Sequence, residues 1–472
     1  MSFKKSNLKN NNNIFSSFVW IISICVVFVI WIIVIKNLDI LSFEMTEKNM
    51  TKEEKVAYEK KKEEKVKEIQ ESNKINILLV WRWWGSHDAP DLTDTIILAS
   101  LDKKKSLISM LSIPRDLYVE YDDSNNSEWK INGIYAKYYY KSESKDTWMK
   151  ALQNKITQIT GEKIDYYVNV DFNWFTKVID ALGWIEINVP NNFVDDKYPD
   201  NNWGYRTLVF RKGTWNFSWD NALKYARSRH STSDFDRSLR QQQVISGVKQ
   251  KLIEADYLTS PKQLKKFYEI YKQYVYTDIW ITDLISFLPV LKNADKMKML
   301  SYNINDSCFY GSNTCEKWGF LYIPERALYN WMSVLLLDST DKEDLNNYSD
   351  FQVYTNRIYN NQEFFIENYE VNVFNSLKVN HLAWILSNDI VKYGFNIPKY
   401  NSIWNTPTTY SGSTIYYNNI SEESETIKYL KEFFKWDFIE TTQPKYSKVP
   451  STKIEIIIWE DYLDNTIQTF TF

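Results

Sequence analysis

Residues Ile14 to Ile35 read IFSSFVWIISICVVFVIWIIVI, 22 positions without a charged side chain or a proline. At 1.5 Å of rise per residue, a helix of that length spans about 30 Å, the hydrocarbon thickness of a bilayer. In hydrocarbon every N–H and C=O needs a partner within the segment itself, so a lone span of this kind is expected to be helical. The tail before it carries Lys4, Lys5 and Lys9 and no acidic residue, which places the N-terminus in the cytoplasm and the bulk of the chain outside. A cleaved secretion signal is the competing reading. Its apolar part would be shorter and followed by small residues, whereas Lys36, Asn37 and Leu38 follow here. The expectation is a single-pass protein of the cell membrane, with a cytoplasmic tail at 1–13 and a transmembrane helix at 14–36. Cys25 within the span reads as a small apolar residue.

After the span the pattern changes. Residues 37–74 are charge-dense, and from Thr51 to Lys74 Glu and Lys recur at i,i+4 spacings with little apolar content, as in a solvated helical spacer. INILLV, TIILASL and SLISMLSI are short apolar runs that read as buried strands. Trp148 to Thr160 reads as helix, YYVNVDF as strand, Phe175 to Leu182 as helix and WIEINVP as strand. Asn221 to Tyr225, Leu239 to Leu252, Pro261 to Val275 and Ile281 to Leu291 read as helices. Strands alternating with helices indicate an α/β sheet domain, placed at 75–340. The polar run DSTDKEDLNNYSD suggests a linker over 341–368. A smaller α/β domain is expected at 369–465. Its strands are YEVNVFN, STIYYNN and KIEIIIW, and its helices are HLAWILSNDIVKYGF and the Ser-capped SEESETIKYLKEFF.

The net charge of −3 excludes a globally basic nucleic-acid binder while leaving room for a local basic cleft. Three Cys and three His cannot build a zinc-finger array or a His-rich metal centre. Cys308 and Cys315 flank FYGSNT, and outside the cytoplasm two cysteines so close suggest a disulfide, with two free thiols as the alternative.

Four segments concentrate chemistry. LTDTI holds Asp94. SIPRD places Arg115 and Asp116 just beyond an apolar strand. GYRT holds Arg206. YARSRHSTSDFDRSLRQQQ holds Arg227, Arg229, Asp234, Asp236, Arg237, Arg240, Gln241 and Gln243. Arg prevails over Lys in these segments, and a planar guanidinium fork suits bidentate contact with phosphate. Arginines beside a carboxylate that holds Mg²⁺ are the equipment for binding a pyrophosphate. Arg237, Arg240 and Gln241 fall within about one helical turn, so they share a face. Each arginine taken alone is as well read as a surface ion-pair partner, and Asp94 as a turn cap; the joint pattern favours the phosphate reading.

From Ile75 to about Leu252 the chain resembles the LytR-CpsA-Psr family of bacterial envelope proteins. The resemblance runs in order through NILLV, LTDTIILASL, SIPRDLYV, KINGIYA, IDYYVNVDF, DALGWIEINVP, GYRTLVF and YARSRHSTSDFDRSLRQQQ. Tyr369 to about Leu463 is similar to the C-terminal domain often fused to that family, through VNVFN, HLAWILSNDIVKYGF and KIEIIIWEDY. The resemblance implies a central mixed sheet flanked by helices, in an α-β-α arrangement, with an apolar tunnel under the sheet for a polyprenyl chain. It implies a membrane-anchored phosphotransferase that moves a glycopolymer from an undecaprenyl-pyrophosphate carrier to a muramic acid hydroxyl of peptidoglycan. By the same resemblance Arg115, Arg206, Arg227, Arg229, Arg237 and Gln241 bind the pyrophosphate, Arg240 joins them from the helical face it shares with Arg237 and Gln241, and Asp94 holds Mg²⁺ or Mn²⁺. Asp234 orients Arg237 or acts as base. The expected partners are the lipid-linked polymer, peptidoglycan and the membrane, with no nucleic acid. Three readings compete: a non-catalytic envelope protein that binds the lipid-linked polymer, a lipid-pyrophosphate hydrolase, and a transcriptional regulator, the last disfavoured by an arginine set outside the membrane.

The family pattern has an Asp shortly after the first strand as a second metal ligand. Here that stretch is WRWWGSHDAPD, and Asp88 and Asp91 are the nearest carboxylates. His87 beside them reads as an exposed loop residue. Gly is scarce, 11 of 472, and Trp abundant, 19, against a usual Gly share of about 7%. Trp81, Trp83, Trp84, Trp129, Trp174, Trp184, Trp219, Trp318, Trp384 and Trp459 stand where the family pattern favours Gly, whereas Trp215 in GTWNFS reads as native. Gly and Trp together are 11 + 19 = 30 residues, close to an ordinary Gly share. This is the expected signature of UGA codons, read as Gly in some bacterial lineages, translated as Trp. Sequencing the gene is expected to show UGA at those ten positions; UGG there marks a genuinely Trp-rich protein.

Overall fold

The computed structural model describes residues 72–82, 92–121, 127–141, 145–171, 177, 179–200, 204–228, 240, 243–244, 247, 251, 266, 269–270, 273–279, 298–304, 320–377, 379–397, 403–405, 412–447 and 453–464. The expected transmembrane helix, nearly all of the charged spacer, His87 and the Cys308/Cys315 pair lie outside these residues. Among the described residues no helix is long and apolar enough to cross a membrane. The chain forms two compact units. One joins the described residues up to Ile113 with Ile164–Asn303; the other joins Pro114–Lys163 with the residues from Ile304 on.

The first unit is built on the apolar runs. β1 (Lys74–Arg82), β2 (Thr93–Asp102) and β3 (Leu107–Ile113) form an antiparallel meander. β4 (Tyr166–Asp171) lies parallel to β1. All six β4 residues are buried, the mark of a strand covered on both faces. Two smaller antiparallel pairs follow: β5 (Ile185–Val189) with a strand later in the chain, and, between them in sequence, β6 (Phe193–Pro199) with β7 (Tyr205–Phe210). β8 (Gly213–Phe217) is the strand that pairs with β5. β9 (Val275–Thr277) and β10 (Lys298–Asn303) complete the main sheet, whose order is β9-β4-β1-β2-β3-β10. Val275 was expected to close a helix and instead opens β9, as a β-branched and aromatic VYT run favours. Helix Trp219–Arg227 follows Ser218, with Asp220 in its first turn paired to Lys224. Gly247 is fitted by necessity: a Cβ there would stand 2.6 Å from the Glu186 carbonyl oxygen, so only glycine lets this backbone approach β5.

The second unit holds helices Gly133–Lys141 and Lys145–Thr160, and a five-stranded sheet. Its strands are β11 (Val371–Asn375), β12 (Ile403–Asn405), β13 (Thr414–Asn418), β14 (Asp437–Thr441) and β15 (Ile454–Ile458), in the order β12-β11-β15-β13-β14. Helix Glu425–Phe433 is capped by Ser424, whose hydroxyl accepts the Ile427 N–H at 3.2 Å. The stretch expected as a linker carries two helices, Ser349–Asn360 and Gln362–Glu367. Behind the polar run, Phe351, Tyr354 and Ile358 recur at helical spacing and are buried. Thr355 Oγ1 donates to the Thr160 carbonyl at 2.6 Å, which ties this helix to Lys145–Thr160.

Trp331 follows the short 3-10 turn Arg326–Tyr329 with φ +60° and is 78% exposed. A bulky side chain in the left-handed region costs about 1–2 kcal/mol, and this one recovers little by packing. Trp331→Gly is therefore expected to stabilise the fold by about 1 kcal/mol and to raise the melting temperature by about 2–4 °C, read by thermal denaturation.

Candidate functional site

Strand directions gather one edge of the main sheet. β1, β4, β3 and β10 all end there, and β2 begins there. Crevices at the carboxyl ends of strands are where open α/β sheets bind ligands. At this edge the β1–β2 ladder breaks register: Trp81 pairs with Thr95, but Arg82 pairs with Thr93. Asp94 is the extra residue of a β-bulge, a device that re-aims one side chain at a strand end. Thr93 is buried and Asp94 exposed, so the bulge turns a carboxylate outward from an otherwise buried strand.

On the other side of β1 stands a pair that the sequence reading had not singled out. Arg82 is the parallel register partner of Asp171, the last residue of β4. Asp171 is 1% exposed and Arg82 half-buried. Arg82 stood in the WRWWG segment and Asp171 in YYVNVDF, but nothing local shows that parallel pairing brings them side by side.

A second group lies in the same unit around the end of helix Trp219–Arg227. Tyr225 packs against Phe193, Phe210 and Phe217 at ring centroid distances of 5.7, 5.1 and 5.4 Å. Its hydroxyl donates to Gln243 Oε1 at 2.5 Å. Burial pushes the phenol up to about 12, with the Arg240 charge acting in the opposite sense. Arg240, expected at the phosphate, is placed inside the unit at 4% exposure. Its Nε donates to the Tyr225 carbonyl at 3.0 Å and its Nη2 to the Ser228 carbonyl. Arg206 is exposed on β7, with its guanidinium 5.3 Å from the Tyr198 ring centroid. Arg227 is the last residue of the helix.

Arg115 belongs to the second unit, where it is exposed. Its Nε lies 3.6 Å from Asp116, which also pairs with Lys130 at 2.6 Å. Asp88, Asp91, Arg229, Asp234, Arg237 and Gln241 lie outside the described residues. Among the described residues no three His, Cys, Asp or Glu side chains cluster as a metal cage. A single exposed carboxylate still fits Mg²⁺, which keeps several waters and usually takes one or two carboxylates plus substrate phosphates.

A model of the LytR_cpsA_psr family matches residues 41–319. The polyisoprenyl-teichoic acid–peptidoglycan teichoic acid transferase TagV of Bacillus subtilis is 31% identical over 221 residues, 46% of this chain and 53% of TagV. The cell wall biosynthesis protein LcpA of Corynebacterium glutamicum is 28% identical over 43% of this chain and 41% of LcpA. The chain thus spans about half the length of these relatives. Among solved structures, that of B. subtilis TagV covers 61% of this chain and 97% of its own, at 25% identity and a TM-score of 0.37.

The folded-state phenol of Tyr225 lies above its ordinary value, so its contribution to stability is complete below pH about 10 and is lost as pH rises toward about 12. Thermal melts between pH 9 and 11.5 are expected to show a shallower alkaline decline for Tyr225→Phe than for the native chain.

Proposed function

The chain belongs to the LytR_cpsA_psr family, and from that membership we propose that it transfers a glycopolymer from a polyprenyl-pyrophosphate carrier to peptidoglycan. The observation that supports this most directly is the bulge that turns Asp94 outward at the carboxyl-end edge of the sheet. In this reading the muramic acid hydroxyl oxygen forms a bond to the sugar-bearing phosphorus. The bond from that phosphorus to the bridging oxygen breaks, and polyprenyl phosphate leaves. The hydroxyl proton passes to Asp234 or to solvent.

Phosphoryl transfer of this type needs positioning and charge stabilisation rather than a protein nucleophile. Asp94, joined by Asp88 or Asp91, is the proposed ligand of Mg²⁺ or Mn²⁺, which when bound offsets negative charge on the pyrophosphate. Arg115, Arg206, Arg227, Arg229, Arg237 and Gln241 are the proposed phosphate donors, with Asp234 alternatively orienting Arg237. The run Ile14–Ile35 is the proposed anchor, with the N-terminus cytoplasmic and the bulk facing the wall. The names of TagV and LcpA, a teichoic acid transferase and a cell wall biosynthesis protein, support the same substrate class.

The full chain in detergent, given a short-chain polyprenyl-pyrophosphate sugar, peptidoglycan fragments and Mg²⁺, is expected to yield glycan carrying sugar phosphate together with free polyprenyl phosphate. Chelation should abolish transfer. Asp94→Asn is expected to lower the rate about 100-fold or more. Arg237→Ala should lose about 2–5 kcal/mol of pyrophosphate interaction. Sugar phosphate released to water marks a hydrolase, and binding without turnover a carrier; either result overturns the proposal.

A further inference from the structure

A fully buried guanidinium is rare, and one inside an arginine-rich phosphate motif needs a task of its own. Arg240 bridges two main-chain carbonyls, those of Tyr225 and Ser228, and its guanidinium lies 4.7 Å from the Phe193 ring centroid. The last carbonyls of a helix have no partner within it, and an arginine reaching back satisfies them. Ser228, which caps helix Trp219–Arg227, is buried as well. Its hydroxyl donates to Asp195 Oδ2 on β6, while Asp195 Oδ1 accepts the Lys197 N–H at 3.1 Å. Ser228 is thus held twice, by its carbonyl through Arg240 and by its side chain through Asp195. In sequence it stands between Arg227 and Arg229.

We infer that Arg240 and Asp195 are positioning residues of the pyrophosphate site. They fix the backbone at Ser228, the residue next to Arg227 at the end of its helix, and thereby the point from which Arg227 leaves the chain. The inference rests on the proposed phosphate role of Arg227. A displacement of about 1 Å in such a clamp costs about 100-fold in rate, so an anchor of this kind has functional weight without touching substrate. Lysine in place of Arg240 keeps the charge but cannot fork to two carbonyls while stacking on a ring.

The test measures farnesyl pyrophosphate binding to the full chain in detergent with Mg²⁺ by calorimetry, where stoichiometry counts the folded fraction. Arg240→Lys and Ser228→Ala are each made alone and in combination with Arg227→Ala. Each single variant is expected to weaken binding roughly tenfold at unchanged stoichiometry. On the Arg227→Ala background neither should weaken it further, because the effect runs through the arginine already removed. Native affinity in both single variants, or losses that simply add to that of Arg227→Ala, overturns the inference. A fall in stoichiometry with native affinity shows a purely structural role and also overturns it. Should Arg240→Lys fail to fold, Ser228→Ala, which removes one oxygen, decides by the same criteria. Native affinity in Arg227→Ala alone instead sinks the phosphate reading itself, and the positioning role with it.

Discussion

The first unit depends on β1. It is hydrogen-bonded to β2 on one side and β4 on the other, and six of its nine residues are buried. A strand paired on both edges and covered on both faces cannot slip by one residue without turning its apolar set outward. Its last residue, Arg82, is therefore held at a set height between Asp171 and the bulge at Asp94. The bulge is what a rigid sheet permits at its rim. One extra residue in β2 costs a ladder bond and in return aims a carboxylate away from the core.

The arginines divide by environment. Arg206 is exposed and rests over Tyr198, the cross-strand neighbour of its own hairpin. Arg240 is buried, and its desolvation is offset by two carbonyls and an aromatic face. Sequence spacing put Arg237, Arg240 and Gln241 on one helical face, but the partners that draw Arg240 inward come from β6 and from helix Trp219–Arg227. A guanidinium can serve either end, and which it serves is settled by what lies opposite.

Much of the fold was legible because apolar runs report burial directly. β1, β2, β3 and β4 fall on the runs that composition marked, and so do β11, β13 and β15 of the second unit. What stayed hidden was pairing between distant segments. Arg82 and Asp171 become neighbours only through the parallel register of β1 and β4. The helix Ser349–Asn360 was masked by the acidic and amide-rich residues before it, although Phe351, Tyr354 and Ile358 already carried its spacing. Local composition reads the surface of a helix as readily as a linker, and the stripe beneath it is visible only at the right period.

The tryptophans separate along physical lines. Trp148 is buried and packs edge-on against Tyr135 and Tyr139 at 5.6 and 4.3 Å, and Trp436 stacks on Phe434 at 4.4 Å. Trp215, though exposed, donates its indole N–H to the Arg211 carbonyl at 2.9 Å. These three behave as residues chosen for a ring. Trp129, Trp184, Trp219 and Trp384 are large apolar side chains left exposed, and Trp331 adds a backbone conformation that suits glycine. If such positions are glycine in the host, the segment WRWWG carries backbone without a Cβ at three places where the sequence has Trp. Successive unobstructed N–H groups make an anion-binding concavity, and glycine leaves such groups unobstructed where Trp does not. The chemistry of that segment thus turns on how a single codon is read.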